Sequence, residues 1–159
     1  MLADAYTKRD RVGIVTFRGT KAEVLLEPTC SVELAERELA RLPTGGRTPL
    51  AHALVLSYDM IQRIWRQHPE QAVLLVVLSD GKANVTLPES SGGDAWGQTE
   101  NAATQLAGLA VPTLMLDTDA GHVRVGRGKE LGGLLNADYM RLEDLSADGL
   151  VHTIWEAVD

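Results

Sequence analysis

Two short loops carry the residues whose types and spacing suit chemistry: Gly45-Gly46-Arg47-Thr48-Pro49-Leu50 and Ser79-Asp80-Gly81-Lys82-Ala83-Asn84. The first offers a hydroxyl and the second a carboxylate. Both are hard oxygen donors of the kind magnesium takes in octahedral coordination while keeping several waters. A hydroxyl, a carboxylate held through water and a carboxylate brought by a partner make a chemically sensible set. Thr48 and Asp80 are therefore the candidate metal ligands, with Arg47, Lys82 and Asn84 beside them as candidate partner contacts. Each also has a plain local role. Thr48 suits the N-cap of a helix with Pro49 at its first position. Asp80 suits the first residue of an Asp-Gly turn, and the three flanking side chains suit a solvated rim where charges contribute little.

Other motifs fall on inspection. Gly121 to Gly126 has the glycine spacing of a phosphate loop, but Arg127 and Gly128 stand where Lys and Ser or Thr must meet phosphate and magnesium. Asp117-Thr118-Asp119 could open a calcium loop, yet Gly121 occupies the third ligand position and no glutamate closes the loop. No G-x-S-x-G elbow surrounds Ser79, and nothing in the sequence brings His52, His68, His122 or His152 to it. The histidines read as surface or helix filler. Cys30, beside a helix start, reads as a small turn residue.

The elements that must position the two loops follow from periodicity. Val12–Phe17 and Ala22–Leu26 are β-branched-rich runs close enough to form a hairpin, which Pro28 is expected to end. Ser31 caps a helix carrying Leu34, Ala35, Leu39 and Leu42. Leu50, Leu54, Tyr58, Ile61 and Trp65 form one stripe of the next helix. The run 72–78 is apolar on both faces, as a central parallel strand would be. Ala102, Ala103, Leu106 and Leu109 mark a further helix, Val111–Leu116 a buried strand, and Leu131, Leu134 and Leu135 a short helix. Asp138–Leu142 reads as a last strand and Leu150–Val158 as a terminal helix. This alternation predicts a three-layer, Rossmann-like, mostly parallel α/β sheet with one antiparallel edge hairpin. In such sheets the binding groups gather beyond the carboxyl ends of the strands, where both loops fall.

Composition narrows the class. The 159 residues form one expected domain, 1–159, with enough apolar content to bury a core without a disulfide framework. One cysteine excludes a stapled secreted scaffold and a cysteine-based zinc cluster. A formal net charge of −7 and seven scattered aromatics argue against a nucleic-acid partner. No apolar run reaches membrane-spanning length and the start does not read as a signal peptide, so the expected location is the cytoplasm.

At the two loops the chain resembles the von Willebrand factor A domain, and in detail the C-terminal A domain of the D subunit of magnesium and cobalt chelatases. The resemblance is carried by RDRVGIVTFRGTKAEVLLEPT at 9–29, LPTGGRTPLAHAL at 42–54, LSDGKANVTL at 78–87 and the segment 116–145. It implies a metal-ion-dependent adhesion site: D-x-S-x-S after the first strand, a threonine from a second loop and an aspartate from a third. Thr48 and Asp80 match the last two. D-x-S-x-S has no counterpart, so relative to the family the first central strand is missing and the chain is N-terminally incomplete. Magnesium is then expected to bind this chain weakly or not at all.

The implied function is a non-catalytic interaction module of an ATP-dependent chelatase that inserts magnesium or cobalt into a tetrapyrrole. Its implied partners are an AAA+ motor subunit and a porphyrin-binding large subunit. Alternatives are an adaptor of another AAA+ ATPase, a Rossmann-like enzyme using Ser79, Asp80 or Cys30, and a truncated product with no working site. The missing strand would lie between Val12–Phe17 and Val73–Leu78. Its absence predicts a filler strand from another molecule or marginal stability rather than direct closure of the sheet.

Overall fold

The computed structural model describes residues 10–42, 45–120, 127–146, 149 and 152. Strands β1 (Val12–Arg18) and β2 (Lys21–Thr29) form an antiparallel hairpin closed by Gly19-Thr20. Gly19 has φ 71°, a left-handed value that a two-residue hairpin turn requires and glycine meets without strain. Pro28 does not end β2, contrary to expectation. The register shifts between Val12 and Ile14 and again before Val15, so Pro28 lies in an irregular stretch that tolerates a missing N–H.

Helix α1 (Val32–Ala40) starts as its sequence requires, with Ser31 Oγ accepting the Leu34 N–H at 3.2 Å. Helix α2 (Leu50–Gln67) buries Leu50, Leu54 and Ile61, with Tyr58 and Trp65 packed alongside, so the expected stripe is its inner face. Strand β3 (Leu75–Ser79) begins later than position 72, where Leu75 N–H meets the Pro112 carbonyl. Helix α3 (Ala95–Ala107) begins before the apolar pattern does, because the Asp94 carboxylate accepts the Trp96 N–H and caps a polar first turn. Strand β4 (Thr113–Asp117), helix α4 (Gly128–Leu134), strand β5 (Asp138–Arg141) and a 3₁₀ turn at Leu142–Asp144 follow. The expected terminal helix lies outside the described residues apart from His152, which is helical, and the glycine-spaced stretch 121–126 lies outside them too.

β3, β4 and β5 form a parallel sheet in that order. Parallel strands need both faces covered. Val77 and Met115 join Leu50, Leu54, Ala103, Leu106 and Leu131 in one core, which places α2, α3 and α4 on one face. Leu114 and Leu116, at the alternate positions of β4, are each 1% exposed. The α/β class, the parallel sheet and the antiparallel hairpin are as the sequence predicts. Hairpin and parallel sheet are nonetheless separate hydrogen-bonded sheets: among the described residues β1 pairs only with β2, and β3 on one side with β4. Val12–Phe17 and the β3 segment do not pair directly. Helix α2 spans the interval, packing on β1, β2 and α3.

Candidate metal and docking site

The carboxyl ends of β1 and β3 open onto one cleft of about 270 Å³, lined by Phe17, Arg18, Gly45, Gly46, Arg47, Thr48, Leu78, Ser79, Asp80 and Thr118. Thr48 and Asp80 are thus brought to the same cleft, as their positions after a glycine loop and a buried strand predict.

The Thr48 loop is fixed by its backbone. Thr48 N–H donates to Asn84 Oδ1 at 2.8 Å, and Asn84 N–H donates to the Thr48 carbonyl at 3.3 Å. Asn84 therefore ties the two loops together. Thr48 does not cap α2. Pro49 is the N-cap residue, its carbonyl accepting the Ala53 N–H, and no side chain caps this helix. The reason is geometric: the reciprocal pairing with Asn84 holds Thr48 one residue outside the first helical turn. The Thr48 hydroxyl is left without a hydrogen-bond partner among the described residues, on the wall of a polar cleft.

Asp80 is locally engaged. Its Oδ1 accepts the Lys82 N–H at 3.0 Å, the Asp-Gly turn expected from sequence, and its Oδ2 lies 3.0 Å from Lys82 Nζ. The hydrogen bond and charge of Asp80 raise the Lys82 pKa above its usual value, with Asp119 adding a smaller push against a slight desolvation. Lys82 is therefore paired within its own turn. Buried Ser79 accepts the Gly81 N–H on its Oγ at 3.0 Å, so the hydroxyl that an enzyme would need as nucleophile stabilises the turn. Gly81 has φ 72°, and a Cβ there would collide with the backbone of Arg127 and Gly128. Only glycine fits where this loop meets the start of α4.

The neighbouring strand end is spent on structure. Buried Asp117 accepts the Asp119 N–H at 2.9 Å and the Tyr139 hydroxyl at 2.6 Å, which accounts for the pattern first considered as a calcium loop. Arg47 is exposed on the rim. Arg18 also lines the cleft, its side chain lying against Gly46. Sequence inspection missed it, although its place at a strand end before a turn glycine was the available signal. His52 is not filler: its Nδ1 accepts the Ala22 N–H at 2.9 Å and ties α2 to β2. Cys30 is exposed at the start of α1 and does not line the cleft.

No group of three or more His, Cys, Asp or Glu that could hold a metal occurs among the described residues. The chemistry present is one unused hydroxyl and one carboxylate, both hard oxygens. It fits magnesium as part of a coordination set whose remaining ligands are water or groups from elsewhere.

Fold and cleft define an α/β domain that gathers a threonine and an aspartate at the carboxyl rim of a parallel sheet. The chain belongs to the von Willebrand factor type A domain family, which matches residues 1–82. It is 37% identical over 152 residues to uncharacterized protein MJ0910 of Methanocaldococcus jannaschii, covering 95% of this chain and 85% of that protein. It is 31% identical over 159 residues to the magnesium-chelatase 67 kDa subunit of Chlorobaculum tepidum, covering 95% of this chain but 26% of that subunit. In fold it is similar to the conserved hypothetical protein BatB of Bacteroides thetaiotaomicron, with a TM-score of 0.65, 16% identity, and 97% and 80% of the two chains covered. Among the described residues, no helix is long and apolar enough to cross a membrane.

Proposed function

We propose that this chain is a non-catalytic docking module of a metal-chelatase assembly, in which Thr48 and Asp80 help to hold a divalent cation that receives a carboxylate from a partner subunit. The observation that carries this reading is that Thr48, fixed by its backbone bonds to Asn84 and with its hydroxyl unused among the described residues, lines the same cleft as Asp80. A hydroxyl with only a capping or packing role has no need of such a mount. Similarity to magnesium-chelatase subunits over most of this chain supports the assembly class, and the 26% share of those subunits makes the chain one module's worth of them.

The cation would supply an open coordination position for the partner's carboxylate, so cation binding and docking are thermodynamically linked. Thr48 donates its oxygen, Asp80 orients water or binds directly, and Asn84 keeps the two loops in register. Arg18 and Arg47 present positive charge to an acidic partner, a contribution to encounter rate more than to affinity. In this reading the remaining ligands come from the D-x-S-x-S strand that the family resemblance implies, and the absence of β1–β3 pairing among the described residues is compatible with its insertion there. The partners in this reading are an AAA+ motor subunit and a porphyrin-binding large subunit, and the inserted metal is magnesium or cobalt.

The test is binding to the AAA+ motor subunit in magnesium and in EDTA. With the D-x-S-x-S element restored, the domain should bind only with magnesium, Thr48→Ser should retain binding, and Thr48→Ala and Asp80→Asn should lose it. Equal binding of all four proteins in EDTA would remove the cation from the account.

A further inference from the structure

The chain carries a formal net charge of −7, yet the cleft after β1 and β3 is locally basic. Among the described residues Arg37, Arg41, Arg63, Arg127 and Arg141 each reach a glutamate. Of the arginines that do not, Arg18 and Arg47 line this one cleft. Asp80 does not offset them, because Lys82 Nζ already lies 3.0 Å from its Oδ2. Two guanidinium charges are thus left over in a space of about 270 Å³. One of them is held in place: Arg18 lies along Gly46, where a Cβ would come within 3.4 Å of its Nε. Beside them stands Leu78, 53% exposed although it belongs to β3, the highest exposure of any large apolar side chain among the described residues. Half-buried Phe17 lines the same space.

We infer that Arg18, Arg47 and Leu78 form a contact surface for an acidic, aliphatic peptide segment of a partner protein, whose carboxylates pair directly with the guanidinium groups while a neighbouring aliphatic side chain covers Leu78 and Phe17. The inference rests on the reading of this cleft as a docking surface and not on the cation, since no ion is needed between an arginine and a carboxylate. Charge selects the occupant first: a guanidinium fork takes a carboxylate in a paired, charge-assisted geometry. The apolar half selects it further. A free phosphate would leave Leu78 bare to water, whereas an aliphatic side chain laid on it removes apolar surface from both partners. Nucleic acid is disfavoured by the net charge of −7. Both arginines are exposed, so each pair contributes little on its own and the contact is weak. It serves as a first docking step, which forms at a rate that falls with salt and sets which segment lies over the cleft.

The experiment is an amide-spectrum titration of the full chain, in EDTA, with the blocked tetrapeptide acetyl-glutamyl-leucyl-glutamyl-leucine amide. Shifts are expected at residues 18, 46–47 and 78–79, with β5 unmoved. Arg18→Gln and Arg47→Gln should each weaken binding about three- to fivefold, the range of an exposed ion pair, and the double variant about tenfold or more. Replacing both glutamates of the peptide by glutamine should abolish the shifts. Replacing both leucines by alanine should weaken binding, and so should Leu78→Ala. Asp80→Asn should bind at least as tightly as wild type, since the ammonium it releases adds to the positive field. Equal shifts with orthophosphate, or with the alanine peptide, would reduce the cleft to a general anion site and overturn the peptide assignment. No shift in EDTA overturns the direct contact. Binding that then appears on adding magnesium and needs Asp80 would leave the cation reading standing by itself.

Discussion

Every residue of β4 is buried, whereas no residue of β1 is. The two strands belong to the same α/β domain yet are held by different forces. β4 is the centre of a three-stranded parallel sheet under α2, α3 and α4, and its stability is that of a packed core. The hairpin is a two-stranded ribbon, and such ribbons are marginal unless packed on something else. Here that something is largely α2, which reaches it through the His52–Ala22 bond and the Arg63–Glu27 ion pair. The cleft lies where these regions meet, with Asp80 on the rigid side and Phe17 and Arg18 on the looser side. A site on such a seam has one fixed wall and one that can adjust to what enters.

The largest expected effect is on the rigid side. Met115→Ala should cost about 2–5 kcal/mol in urea unfolding, as deletions at fully buried positions do. Val12→Ala, at a position 42% exposed, should cost less than about 0.5 kcal/mol. Equal losses would erase the contrast between the regions. Next comes Gly81→Ala, which forces a side chain into a left-handed position against the backbone of α4. A loss of about 1–3 kcal/mol is expected, with amide shifts concentrated at 79–84 and 127–129.

A smaller effect, confined to the looser side, is expected from His52→Ala. Removing the acceptor leaves the Ala22 N–H unpaired, a cost of about 1 kcal/mol or somewhat more. Hydrogen exchange should speed up at Ala22 and its neighbours in β2 while the amides of β4 keep their protection. Uniform acceleration would mean that hairpin and sheet open as one unit. Arg63→Ala should be nearly silent, at most about 0.5 kcal/mol, since both partners of its ion pair are well exposed.

Much of this was legible in the sequence for physical reasons that also mark its limits. The α2 stripe and the apolar run of β4 are periodic because burial is periodic, and both elements stand where the pattern places them. The first turn of α3 was invisible to that pattern because it is fixed by a cap at Asp94 rather than by apolar contacts. Thr48 and Asp80 could be singled out by residue type and loop position. What each does locally could not, since the Asn84 clamp and the Lys82 ion pair depend on side-chain geometry across a turn or between loops distant in sequence. That β1 and β3 do not pair among the described residues was foreseen only through the family resemblance and not from periodicity, because strand character is local and strand pairing is not.

The central claim is that a cation site is built at the seam around Thr48 and Asp80, and Mn²⁺-induced line broadening in the amide spectrum of the chain tests it most directly. With two protein ligands the affinity should be weak, in the millimolar range, yet the paramagnetic ion still reports where it rests. The account predicts that amides of residues 46–48 and 79–82 broaden first, that β5 and α1 stay sharp at the same concentration, and that Asp80→Asn removes the effect. Broadening centred on the acidic surface of α1, or an unchanged pattern in Asp80→Asn, would contradict it.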